Sequence, residues 1–366
     1  MRRQKIYYFI LCMSMTFFAG SLWGFEIKFL DKFELSQEKE LIAYPMALCV
    51  TEDDLFLVSD MKLAHVKVFD NKGNLLKILG RQGFGPNEFT RATYSFYEDG
   101  KFGVYDMDAW RVHLYEREGK LDFKRINSIL SHTAITDAHL KSNKIYIAGY
   151  RIGNDNNEYE FFSIDIKTGK SEFLMPVYYA YGFASYSEYK INKESPVIAM
   201  VGGMNKFDIA GNFAYYIWEG NLSIIRIPLS GGKITCFGHK TDNYIPPFIS
   251  NEILKTIDLR YGKASAYGKA RGKMSFVDKI FAGRDYVMVI YRGPTRNETL
   301  LPYTAQFYTL DGEFINEVRL PALSYKTPFF LDKEENILYS VAAGDKEEDE
   351  EDYYIIKMQV SKGNPK

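Results

Sequence analysis

The chain has 366 residues, with 46 Lys and Arg against 47 Asp and Glu and a formal net charge of -1, so no charge surplus marks it for nucleic acid. Aromatic residues make up 16% of it, with 28 Tyr, 27 Phe, 28 Gly and only 12 Pro, a β-favouring composition that excludes a disordered chain, a collagen and a coiled coil.

At the N-terminus Arg2, Arg3 and Lys5 precede an apolar run from Ile6 to Ala19, and Ala19-Gly20-Ser21 supplies the small residues that a signal peptidase reads. The expectation is a signal peptide over residues 1–21 and an exported protein, periplasmic or associated with the cell envelope. The run is shorter than the roughly 20 apolar residues of a spanning helix. The alternative is an uncleaved anchor reaching residue 24, and no other membrane span is expected. Beyond the signal only Cys49 and Cys236 remain, each in an apolar, strand-like stretch where a buried thiol acts as a small hydrophobe. A chain of this size needs no disulfide framework to hold its core.

A unit of short strand, polar loop and hairpin then recurs along the chain. In the first copy Leu55 to Val58 leads to Ser59-Asp60, His65 to Asp70 alternates, Asn71 to Asn74 turns, and Leu75 to Leu79 returns. In the second, Phe102 to Tyr105 ends at Asp106, Arg111 to Tyr115 alternates, Glu118-Gly119-Lys120 turns, and Leu121 begins the return. Period-2 strands flanking a Gly-bearing turn are a hairpin signal. Looser copies begin at Lys144, Phe213, Tyr286 and Ile337, and the first two intervals, in the low to middle forties, fit a four-stranded propeller blade.

The fold expected is therefore all-β, a six-bladed β-propeller of four-stranded blades spanning residues 25–366 as a single domain. The sixth copy ends after its third strand at Val360, so the alternating segment Glu26 to Leu35 is expected to supply its outer strand and close the ring.

The stretch Gly80-Arg-Gln-Gly83-Phe-Gly85-Pro86-Asn87-Glu88-Phe89, followed by Asp99 to Asp106, resembles an NHL repeat, with Asn87 where that repeat usually has glycine. The match covers about residues 40 to 120, and as a whole the chain resembles the NHL-like six-bladed propellers that bacteria, notably Bacteroidetes, export to the envelope. Some propellers related to NHL repeats hold a metal over the central channel, so the resemblance also raises a metal-dependent lyase or lactonase with its site at the channel mouth. That alternative needs His and carboxylate side chains that converge.

In a four-stranded blade the loops between strands two and three share a face with the connections from blade to blade. The long connections 149–159, 176–206, 238–275, 292–303 and 343–352 all belong to those two classes, whereas the third-to-fourth turns are tight. Long loops on a rigid scaffold concentrate binding residues, so this face is expected to bind a protein, peptide or glycan. A short helix is expected over 250–257, where Ser250 stands as an N-cap before Ile253, Leu254 and Ile257.

Asp60 and Asp106 stand at matching strand ends, and His65 and Arg111 at the matching starts of the strands that follow. They read either as rim groups for a polar ligand or as a repeat device in which the carboxylate ties down backbone N–H groups. Arg81 and Arg292 have planar forks suited to an anionic group, and Tyr181 and Tyr186, in a Tyr-rich insertion, suit a protein, peptide or sugar contact. No pair among His65, His113, His132, His139 and His239 has the spacing of a recognised metal site. Asn154 to Glu158 carries oxygens without a calcium loop's register. With no G-x-S-x-G and no cysteine in an electropositive context, no catalytic residue, cofactor or metal is assigned.

Overall fold

The computed structural model describes residues 24–98, 100–131, 135–152, 158–177, 205–218, 220, 222–246, 274–294, 300–301, 303–321, 323–324, 328–344 and 352–363. The expected signal segment, the helix expected over 250–257, Tyr181 and Tyr186 lie outside these residues.

The chain opens with β1 (Phe25–Glu34) and then builds blade one from β2 (Pro45–Val50), β3 (Phe56–Asp60), β4 (His65–Phe69) and β5 (Leu75–Leu79). Blade two follows as β6 (Ala92–Glu98), β7 (Lys101–Asp106), β8 (Arg111–Arg117) and β9 (Phe123–Leu130). Blade three is β10 (Asp137–Lys141), β11 (Lys144–Ile152), β12 (Glu158–Asp165) and β13 (Ser171–Pro176). Blade four is β14 (Asn205–Ala210), β15 (Phe213–Trp218), β16 (Ile224–Pro228) and β17 (Thr235–Phe237). Blade five is β18 (Phe276–Ala282), β19 (Val287–Arg292), β21 (Tyr303–Tyr308) and β22 (Phe314–Arg319), with β20 (Leu300–Leu301) pairing separately with β23 (Leu323–Ser324). Blade six is β24 (Phe329–Asp332), β25 (Ile337–Ala343) and β26 (Tyr353–Lys362), completed by β1. The first strand closes the ring as expected. It runs antiparallel to β26 from the pair Phe25 and Lys362 to the pair Glu34 and Tyr354.

A strand's place in its blade sets its pattern. Inner strands are covered on both faces by neighbouring blades, so β3 is buried at every residue, whereas the outer β5 alternates between half-buried and exposed positions. Successive first strands touch around the axis from β24 through β2, β6, β10 and β14 to β18. Six apolar clusters each join one blade to the next, including blade five to six through Phe307 and Met358 and blade six to one through Tyr339 and Phe56. With about 1.5–3 kcal/mol for each large apolar side chain fully buried, these seams hold the ring shut.

One expectation fails. Cys49 is buried on β2, but Cys236 is exposed, because β17 is a short outer strand that turns Phe237 toward Tyr215 and Tyr308 and leaves Cys236 to solvent.

Candidate functional site

Two places gather polar side chains, the axial channel and the face that carries the long connections. The described flanks of all five long segments confirm that they join second to third strands or one blade to the next, whereas the third-to-fourth turns at Gly73, Gly119, Gly169, Gly231 and Gly312 lie on the opposite face.

The channel is crossed by ion pairs. Lys279 of blade five reaches both carboxylate oxygens of Asp137 in blade three at 3.1 and 2.9 Å. Lys333, in the first turn of blade six, lies 2.7 Å from Oδ1 of Asp208 in blade four. Blades three and five, like four and six, are not neighbours, so both pairs must pass through the axis. The carboxylates also accept main-chain N–H groups, Asp137 from Phe207 at 3.3 Å and Asp208 from Ala282 at 2.8 Å. Burial opposes ionisation of both, yet the facing lysines hold them below the ordinary carboxylate range.

His139 sits between the two, 4.0 Å from Asp137 and 3.8 Å from Asp208. Burial lowers its pKa despite both carboxylates, so the ring is neutral at neutral pH. Cys49 faces Ser95 at 3.4 Å, and burial pushes its thiol up to about 12, which leaves no thiolate. The channel thus holds a neutralised network with its carboxylates already committed. Sequence reading weighed His139 only as a metal ligand and missed Asp137, Asp208, Lys279 and Lys333, whose only trace was isolated polar residues within apolar strands.

The residues singled out from sequence fall in separate groups. Asp60, wholly buried at the end of β3, accepts N–H groups from Ala43, Tyr44, Lys62 and Leu63 at 2.7 to 3.2 Å and pairs with the buried Lys67 at 3.3 Å. Lys67 donates in turn to Nε2 of His65 at 2.6 Å, and burial lowers the pKa of both. Asp106 repeats the device in blade two. It accepts from the N–H groups of Thr90 and Arg91 at 2.8 and 2.9 Å and from the Thr90 hydroxyl. In both blades the carboxylate at the end of the second strand ties down the incoming inter-blade loop, and in blade one it also holds the turn that follows.

Arg81 pairs with Glu88 at 2.7 Å inside its own turn, and Arg111 is exposed with Nη1 3.4 Å from the Ser128 hydroxyl. Arg292, buried at the end of β19, lies 3.4 Å from Asp278 and over the Phe276 ring. His65, Asp106 and His139 therefore occupy three different environments. Among the described residues no group of three His, Cys, Asp or Glu side chains is placed to hold a metal ion.

Glu160 on β12 is buried against Asn205 of β14. It accepts from Nδ2 of Asn205 at 2.5 Å, while its own Oε2 and Oδ1 of Asn205 are buried without partners. Burial pushes its carboxyl up to about 8. A proton held there at neutral pH gives the pair the donor that its bare oxygens lack.

The model of a family described as 6-bladed beta-propeller matches residues 34–200. The chain is a six-bladed β-propeller. The fold is shared with a member of the DUF4221 family from Bacteroides vulgatus, with 14% identity, 93% of this chain and 99% of that one covered, and a TM-score of 0.64. A candidate exported protein from Bacteroides fragilis is also similar, with 13% identity, 92% and 95% covered, and a TM-score of 0.58. A structural genomics protein from Bacteroides thetaiotaomicron shares 11% identity over 92% of this chain and 76% of that one, with a TM-score of 0.50. No curated protein matches the sequence. At these identities the propeller's likeness to its neighbours establishes the fold alone.

Proposed function

We propose that this propeller is exported and acts as a non-catalytic binding or scaffold protein, using its long-loop face to hold a protein, peptide or glycan. One observation carries the reading. Every long connection emerges on one face while the opposite face is trimmed to tight turns. A binding surface grows where a rigid scaffold tolerates insertion. The self-neutralised channel adds support, since its carboxylates answer lysines and main-chain groups and its cysteine is a protonated thiol. Export rests on the basic-then-apolar N-terminus and accords with the Bacteroides fragilis neighbour.

Charge reversal on each face tests the reading. Changing Lys72, Lys120, Lys170 and Lys233 to Glu together alters the short-turn face, whereas Lys62→Glu and Arg111→Glu with Tyr181→Ala and Tyr186→Ala alters the other. Retention by the washed envelope of the producing bacterium is expected to survive the first set and fall at least tenfold with the second. The reverse outcome would remove the basis of the proposal.

A further inference from the structure

Blade two presents two large aromatic side chains to solvent on adjoining turns of the long-loop face. Phe84 is 94% exposed at the tip of the turn between blades one and two. That turn is rigid. Glu88 accepts the Gly85 N–H at 2.7 Å and pairs with Arg81, Gln82 bridges to Phe89, and the Phe89 ring is buried against His113. Side chains at Gly80 and Gly83, both at positive φ, would run into the Phe89 ring and the Glu88 carboxylate. The phenyl group of Phe84 therefore stands on a pedestal built by its neighbours.

Trp110 lies in the turn between β7 and β8, 47% exposed and at a φ of 55°. The matching residue of blade one, Ala64, has a φ of 53°, so the turn itself demands the left-handed conformation. Gly or Asn occupies such a site without penalty, whereas a bulky ring is strained there. A half-exposed indole held at a strained position points to a contact with something else.

The two turns are joined through Arg91, whose carbonyl accepts the Met107 N–H at 3.0 Å and whose Nε lies 3.3 Å from Asp108. Of the charges beside the rings, Arg81 is paired with Glu88 and Arg91 with Asp108, which keeps spare donors and acceptors, while Arg111 next to Trp110 is exposed beside the Ser128 hydroxyl and adds a single positive charge, too little to specify a polyanion. These turns offer no open strand edge for a peptide to extend.

Building on the long-loop reading, we propose that Phe84 and Trp110 are the aromatic platform of a site for a neutral glycan. The rings would stack on the C–H faces of sugars, and the paired Arg and Asp or Glu side chains would bond hydroxyl groups.

The test is binding of the purified protein to an array of neutral oligosaccharides, followed by calorimetric titration of the strongest one, a readout that does not depend on Trp110. Trp110→Asn is expected to weaken binding roughly tenfold or more. It is also expected to raise the melting temperature by about 2 °C, because strain is relieved. Phe84→Ser is expected to weaken binding with no change in melting. A blank array, binding indifferent to both variants, or a lower melting temperature for Trp110→Asn would overturn the proposal. If the array is blank but envelope retention still follows the long-loop face, the glycan assignment fails and the broader reading stands. If retention follows the short-turn face, both fail.

Discussion

A carboxyl buried without a cation makes stability depend on pH, and Glu160 is placed to show it. Its folded pKa of about 8 lies above the ordinary 4.5, so the folded state binds the proton more tightly. Stability then falls as pH rises between those two values and levels off above the higher one, a loss of about a few kcal/mol. Glu160→Gln keeps the shape and an amide partner for Asn205 without the charge. Its urea midpoint at pH 8 is expected to exceed that of the unmodified protein, with most of the pH slope gone. An unchanged slope would show that Glu160 ionises freely. Nothing in the sequence announced this residue, since Glu160 lies 45 positions from Asn205 and the two meet only when blade four packs beside blade three. Asp60 and Asp106 were legible for the opposite reason, because the device recurs in two consecutive repeats with the same spacing to the turn.

At the level of elements, the inner strands spend their polar residues on one another across the axis. Removing one member of a buried pair leaves its partner charged and unmatched, which costs about 3–5 kcal/mol. Lys279→Met and Asp137→Asn are each expected to lower stability by that order in chemical denaturation. The double variant should cost much less than their sum, since it leaves neither charge unmatched. Additive losses would mean that the cross-channel contact carries no coupling. Strand positions and turns were readable from the alternation and the glycines, which act locally. The channel network was not, because Asp137 and Lys279 are 142 residues apart and meet only when the ring closes. Cys236 misled for a related reason. An apolar stretch reads as buried, but a short outer strand covers only one of its faces.

For the whole molecule, the blade count, the closure by β1 and the sorting of loops onto two faces followed from repeat spacing and strand topology, since closing a ring of four-stranded blades leaves few alternatives. The ligand did not follow, because a fold fixes which face can grow and not what that face recognises. The aromatic pair of blade two became visible only once the backbone showed Trp110 strained and Phe84 exposed. The central claim is that the long-loop face binds, and it is tested most directly by photo-crosslinking in the producing cell. A photoreactive residue is placed in turn at Leu41, Arg91, Asp108, Asp242 and Asp352 on that face, and at Lys72, Lys120, Lys170, Lys233 and Glu313 on the other. Crosslinked adducts are expected from the first set and not from the second. Adducts mainly from the second set, or equally from both, would contradict the claim.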